Sequence, residues 1–80
     1  MDQYWLGYDG LSVAFADVAA VLHYRPAYDR MLRVSYGSVP RSMRSIVRTA
    51  AGIYLPSRWE VEQVRARLAS WRSQQCVSPI

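Results

Sequence analysis

Gly37-Ser38-Val39-Pro40-Arg41-Ser42-Met43-Arg44-Ser45-Ile46-Val47-Arg48-Thr49-Ala50-Ala51-Gly52-Ile53-Tyr54-Leu55 is the stretch on which the fold turns. Glycine can take the left-handed helix cap and proline cannot continue a helix, so Gly37 to Pro40 marks the end of one. From Ser42 to Arg48 apolar and polar side chains alternate, which is the period of a short strand. The small residues Thr49 to Gly52 form a turn, and Ile53-Tyr54-Leu55 is a second short run. Together they predict a β-hairpin with Arg44 and Arg48 on or near its tip; a disordered basic loop is the alternative.

N-terminal to this stretch, Pro26 suits a first helical position and predicts a helix that ends before Gly37. On it Tyr28, Met31, Leu32 and Ser35 form one face, and Ala27, Arg30 and Arg33/Val34 the other. From Ala14 to His23 the residues Phe15, Val18, Ala19, Val21 and Leu22 recur at three- and four-residue spacing, which predicts an earlier amphipathic helix. Two helices joined by the tight turn His23-Tyr24-Arg25 read either as a helix-turn-helix or as a helical hairpin with a solvated basic face. C-terminal to the hairpin, Ser57 and Glu60 have the spacing of a capping box that opens a last helix, with Trp59, Val61, Val64, Leu68 and Trp71 inward. The expected architecture is therefore α+β and mostly helical. Residues 1–10 form an extended aromatic lead-in and residues 11–73 a winged helix-turn-helix with a two-stranded hairpin wing and a C-terminal helix; residues 74–80 form a disordered tail.

Charge is unevenly distributed. Residues 1–24 hold Asp2, Asp9 and Asp17 with no basic side chain, whereas residues 25–80 hold ten arginines against Asp29, Glu60 and Glu62. All the basic residues are arginine, whose planar fork matches phosphate and the guanine edge. A GC-rich genome accounts equally well for the missing lysines, but not for the abrupt start of the arginines at position 25. The pattern is the footprint of a polyanion binder. The lone Cys76 has no disulfide partner and fits a reducing cytoplasm. The acidic start does not read as a signal peptide, and no apolar run approaches the ~20 residues of a membrane helix.

Asp17-Val18-Ala19-Ala20-Val21-Leu22, Gly37-Ser38-Val39-Pro40, Arg58-Trp59-Glu60-Val61 and Leu68 to Trp71, in that order and spacing, resemble the AlpA-type and phage excisionase families of the MerR-like winged-helix group. The aromatic lead-in is also similar to that of the pyocin-activator type of regulator. The resemblance covers about residues 11–71. Two features depart from it: Ala14 stands where the family has a Ser or Thr cap, and the turn Thr49 to Gly52 is longer and poorer in Gly and Arg than the family's wing. What the resemblance implies is a sequence-specific binder of double-stranded DNA in the bacterial cytoplasm, associated with the nucleoid. Such a protein is either an excisionase or a transcription regulator of a phage or mobile element, self-associating cooperatively on DNA and working beside an integrase or RNA polymerase.

On that reading Arg25, Ala27, Tyr28 and Arg30 are the base-reading candidates, with Arg30 foremost and Tyr28 the weakest, its position suiting the core better. Arg33 and Arg41 are placed for phosphates, and Arg44 and Arg48 for the backbone or minor groove. Catalysis is not expected. His23 and Cys76 are far apart, no paired carboxylates or Gly-rich phosphate loop occur, and one Cys with one His cannot supply a zinc site. No cofactor or metal is expected. The competing reading is a small phage-encoded protein that binds and inhibits a host protein, with Tyr4, Trp5 and Tyr8 as its contact patch.

Overall fold

The computed structural model describes residues 3–75. The architecture is α+β: two antiparallel sheets and two α-helices. Strands β1 (Gln3–Trp5) and β2 (Ser12–Ala14) pair as a small ribbon, and β3 (Val18–His23), β4 (Ser45–Thr49) and β5 (Tyr54–Ser57) make a three-stranded sheet in that order. Helix α1 (Asp29–Ser35) follows a 3-10 turn at Pro26–Tyr28, and helix α2 (Val61–Gln75) closes the described chain.

The hairpin read from the sequence is present as β4 and β5, with Val47 opposite Leu55 and Arg48 opposite Tyr54. Its second strand runs further than expected, through Pro56 to Ser57. Proline lacks an amide hydrogen and is tolerated because β5 lies at the sheet's edge. Pro26 does open a helical segment, but a short one, a 3-10 turn and then seven residues of α1.

The expected helix over residues 14–23 does not form. Those residues end β2, make a 3-10 turn at Phe15–Asp17 and continue as β3, so the described residues hold no helix-turn-helix. A β-bulge explains the misleading periodicity. Val18 faces Thr49 and Ala20 faces Arg48, so one extra residue, Ala19, is inserted between them. Strand side chains alternate faces, and the insertion resets that alternation. Val18 and Val21 therefore both point inward, three residues apart, and with Phe15 they reproduce a helix-like spacing on an extended chain.

Tertiary pairing overrides the helical pattern because β4 is the central strand. Ile46 and Val47 are both fully buried, one on each face of the sheet, and their backbone needs a neighbour on either side. One face packs Val21 and Val47 against Val61, Val64 and Leu68 of α2, with Leu6, Val13 and Phe15 completing the cluster. The other face packs Ile46 with Leu32 of α1 and with Met43, flanked by Leu22, Tyr28, Val39 and Tyr54. Met31, grouped with Leu32 on one helix face, is exposed like Val34 while Leu32 is fully buried.

The lead-in at residues 1–10 is part of the fold from Gln3 onward. Leu6 is fully buried, and Tyr4, Phe15 and Trp71 stack in series at 5.4 and 5.7 Å, tying β1 to the end of α2. Gly7 has φ +96° and lies against Arg58, where an added Cβ would come within 2.6 Å of that residue's Cβ. Only glycine fits this close crossing.

The capping box is displaced by three residues. The Ser57 hydroxyl accepts from the Trp59 amide at 3.1 Å rather than from Glu60. Glu60 is the residue before α2, and the Gln63 side chain reaches back to accept from its amide at 2.9 Å. Gln63 thus plays the part assigned to Glu60, because β5 continues through Ser57 and delays the helix start. At the other end, α2 extends through Gln75, so residues 74 and 75 of the expected tail are helical; Cys76 and the rest of the tail lie outside the described residues.

Candidate nucleic-acid interface

All ten arginines are exposed. Between residues 30 and 59 the chain carries Arg30, Arg33, Arg41, Arg44, Arg48 and Arg58 and no acidic residue. Among the described residues one ion pair forms, Arg44 to Glu60 at 3.4 Å, with both side chains more than half exposed. Two further arginines lie over aromatic rings, Arg58 5.1 Å from the Tyr8 centroid and Arg67 5.7 Å from that of Tyr4. Arg65 donates to the Val21 carbonyl at 3.4 Å. Arg25, Arg30, Arg33, Arg41 and Arg48 have no carboxylate within ion-pair distance among the described residues.

The fold distributes the eight candidate residues unequally. Arg25 ends the extended segment after β3, and Ala27 is exposed in the 3-10 turn. Tyr28 is half-buried, its ring 5.9 Å from that of Tyr54, so the side chain is largely committed to the core. Arg30 and Arg33 project from α1, and Arg33 lies in its last turn, where a cation complements the helix dipole. Arg41 is exposed in the segment between α1 and β4. Arg48 shares its sheet face with Ile46, the face that α1 covers, and stands opposite Tyr54. Tyr54 links the two elements, since its amide donates to Ser35 Oγ at 3.1 Å. Arg30 and Arg48 thereby flank Tyr54, while Arg33 lies near Tyr24.

Arg44 is not at the hairpin tip. It precedes β4 at the end remote from the turn, about 13 Å from Arg48 at ~3.3 Å per residue, and its amide donates to the Ser57 carbonyl. His23, placed by the sequence in a turn between two helices, is exposed at the end of β3.

Between α1 and the β4–β5 turn runs a groove of about 430 Å³ lined by Arg30, Met31, Val34, Ser35, Gly52 and Tyr54. Val34 is 83% exposed and Met31 and Ile53 are nearly half exposed, so Arg30 borders an uncovered apolar strip. Asp29 is the one carboxylate on α1, and the Tyr24 hydroxyl donates to it at 2.6 Å. That hydrogen bond, helped by burial, raises the pKa of Tyr24 above the usual tyrosine value.

Sequence reasoning passed over Arg58, Arg65, Arg67 and Arg72. The signal for two of them was the aromatic lead-in, whose Tyr8 and Tyr4 rings receive Arg58 and Arg67. Among the described residues no group of His, Cys, Asp and Glu could hold a metal ion, and no helix is long and apolar enough to cross a membrane. Set against protein-family models, curated proteins and solved structures, the chain matches none.

Proposed function

We propose that this chain binds double-stranded DNA through the arginine-bearing surface formed by α1, the segment 36–44 and the β4–β5 hairpin. The observation that carries the proposal is the uncompensated charge: Arg25, Arg30, Arg33, Arg41 and Arg48 are exposed with no carboxylate partner among the described residues, four of them in a thirty-residue stretch with no acidic residue. Arginine side chains held apart from carboxylates are available to phosphates, whose neutralisation releases counterions and drives association.

Helix α1 matches the ~12 Å width of the major groove, where Arg30 can read guanine and the apolar strip of Met31 and Val34 can meet thymine methyl groups. The hairpin acts as a wing beside a single helix, with Arg48 toward the backbone or minor groove. This is a winged arrangement without a second helix in the turn, and it departs from the excisionase-type resemblance at the segment Asp17 to Leu22. Excision and transcription regulation, with neighbouring protomers cooperating on repeated sites and an integrase or RNA polymerase beside them, both begin from this binding step. Fluorescence anisotropy with duplex DNA from the gene's own flanks and with a scrambled duplex, at two salt concentrations, tests it. Tighter, salt-sensitive binding to the native duplex supports the proposal, and weak association blind to sequence refutes it.

A second reading, a contact with a host protein, is favoured by Trp5. This side chain is 54% exposed and rests edge-on against Trp59 beside a 580 Å³ groove. Exposed tryptophans are frequent anchors of protein interfaces. Trp5→Ala leaves DNA binding unchanged and abolishes a host-protein interaction if this reading holds.

A further inference from the structure

The two edges of the three-stranded sheet are treated differently. On β5 the edge is closed: Pro56 has no amide hydrogen to offer, and the Tyr54 amide is already bound to Ser35 Oγ. On β3 the guards among the described residues are lighter, a bulge at Ala19 and a long Arg65 bond to the Val21 carbonyl. Residues 18–22 hold neither proline nor a charged side chain, and among the described residues β3 pairs only with β4. An edge strand so lightly guarded presents amides and carbonyls that can pair with another extended chain.

A groove of about 480 Å³ follows that edge, with residues 19–22 on one wall and Arg65, Leu68, Ala69 and Arg72 of α2 on the other. Four consecutive strand residues line it, and their side chains alternate between the two faces of the sheet, so the groove must run along the strand's rim. The Arg65 bond to the Val21 carbonyl locates the outward-pointing backbone, and antiparallel alternation places the Val21 amide on the same rim. At 3.4 Å that bond is long and exchangeable.

We infer that this groove binds an extended acidic peptide of another protein, which adds to β3 as a fourth strand and lies between β3 and α2. Main-chain hydrogen bonds to the edge supply affinity, and the side chains supply selectivity. The groove lining includes two arginines and no carboxylate; Glu62 lies one helical turn before Arg65, outside it. Arg65 and Arg72 are seven residues apart on a helix, about 10.5 Å along its axis. Carboxylates two and four residues apart on one side of a strand, at ~7 and ~13 Å, bracket that span within the reach of a guanidinium. A second copy of this chain is a poorer occupant. Pairing β3 with β3 across a two-fold axis would bring both pairs of arginines to one seam between molecules of net charge +4. The groove is formed with α2, on the opposite side of the sheet from α1, so the inference does not depend on the DNA reading.

The test uses the full chain and a fluorescein-labelled Val-Glu-Val-Glu-Val-Glu peptide, with two controls: the same peptide carrying Lys for Glu, and one N-methylated on alternate amides. Expected are saturable binding of the acidic peptide, loss with both controls, and about five-fold weakening for Arg65→Gln or Arg72→Gln, the scale of an exposed ion pair. Amide shift changes on titration should fall on residues 18–23 and 65–72. Equal binding of the lysine or N-methylated peptide overturns the inference, as do shifts centred on α1 or displacement of the peptide by duplex DNA. Sedimentation showing a dimer that the peptide dissolves would make a second copy the occupant and overturn it too.

Discussion

Arg48 on β4 and Arg44 just before it stand four residues apart, yet the structure gives them different electrostatic surroundings, and that difference can be measured. Arg48 has no carboxylate within ion-pair distance, whereas Arg44 is held by Glu60 at 3.4 Å. If Arg25, Arg30, Arg33, Arg41 and Arg48 each neutralise one phosphate, the logarithm of the DNA association constant falls against log salt with a slope of about −4.5. Between about 50 and 200 mM salt that is roughly a 500-fold loss of affinity. Arg48→Ala removes one contact, flattens the slope to about −3.6 and weakens binding roughly eight-fold at about 0.1 M salt. Arg44→Ala has a smaller effect, because its charge is already partly compensated. Glu60→Gln frees Arg44, and steepens the slope toward about −5.4 while tightening binding. Anisotropy titrations of the three variants over four salt concentrations check this. An unchanged slope for Arg48→Ala, or weaker binding by Glu60→Gln, would refute the assignment of this surface.

Three further outcomes follow from the packing. Ile46→Ala, at a fully buried central position of β4, costs about 3 kcal/mol in urea denaturation, while Val34→Ala, 83% exposed, stays within about 0.5 kcal/mol. Gly7→Ala destabilises by about 2 kcal/mol or more, since it adds a left-handed backbone penalty to the close approach of Arg58; the midpoint of thermal unfolding reports it. Tyr24 ionises at higher pH than an unperturbed tyrosine because its proton is held by Asp29, so its contribution to stability is full below the unfolded tyrosine pKa of ~10 and is lost as pH rises through the raised folded value. Ultraviolet titration of wild type against Tyr24→Phe shows the late-titrating phenol disappear, and denaturation midpoints of the wild type fall over the same alkaline range.

Local chemistry made much of the chain readable. The alternation from Ser42 to Arg48 and the small-residue turn before Ile53 identify the hairpin, because strand period and turn residues are properties of neighbours in sequence. Pro26 and the apolar spacing from Val61 to Trp71 mark the two helical segments for the same reason. The exclusive use of arginine and its onset at position 25 need no folding at all to be seen. Of the candidate interface, Arg30, Arg33 and Arg48 were identifiable as basic groups on elements of known type.

What the sequence determined by itself, then, are the hairpin, the two helical segments and the asymmetry of charge, all set by short-range backbone preference and composition. Tertiary structure decided the rest. Residues 14–23 carry a helical spacing, but the buried central strand β4 needs a partner for its backbone, and a single bulge at Ala19 lets β3 supply it while keeping Val18 and Val21 inward. Which arginines are occupied, Arg44 by Glu60 and Arg58 by Tyr8, was likewise invisible, since those partners are 16 and 50 positions away and meet only when the sheets and α2 assemble. Hydrogen bonding between distant strands outweighs a local periodicity because a buried unpaired backbone group costs more than the few tenths of a kcal/mol per residue by which helix propensities differ.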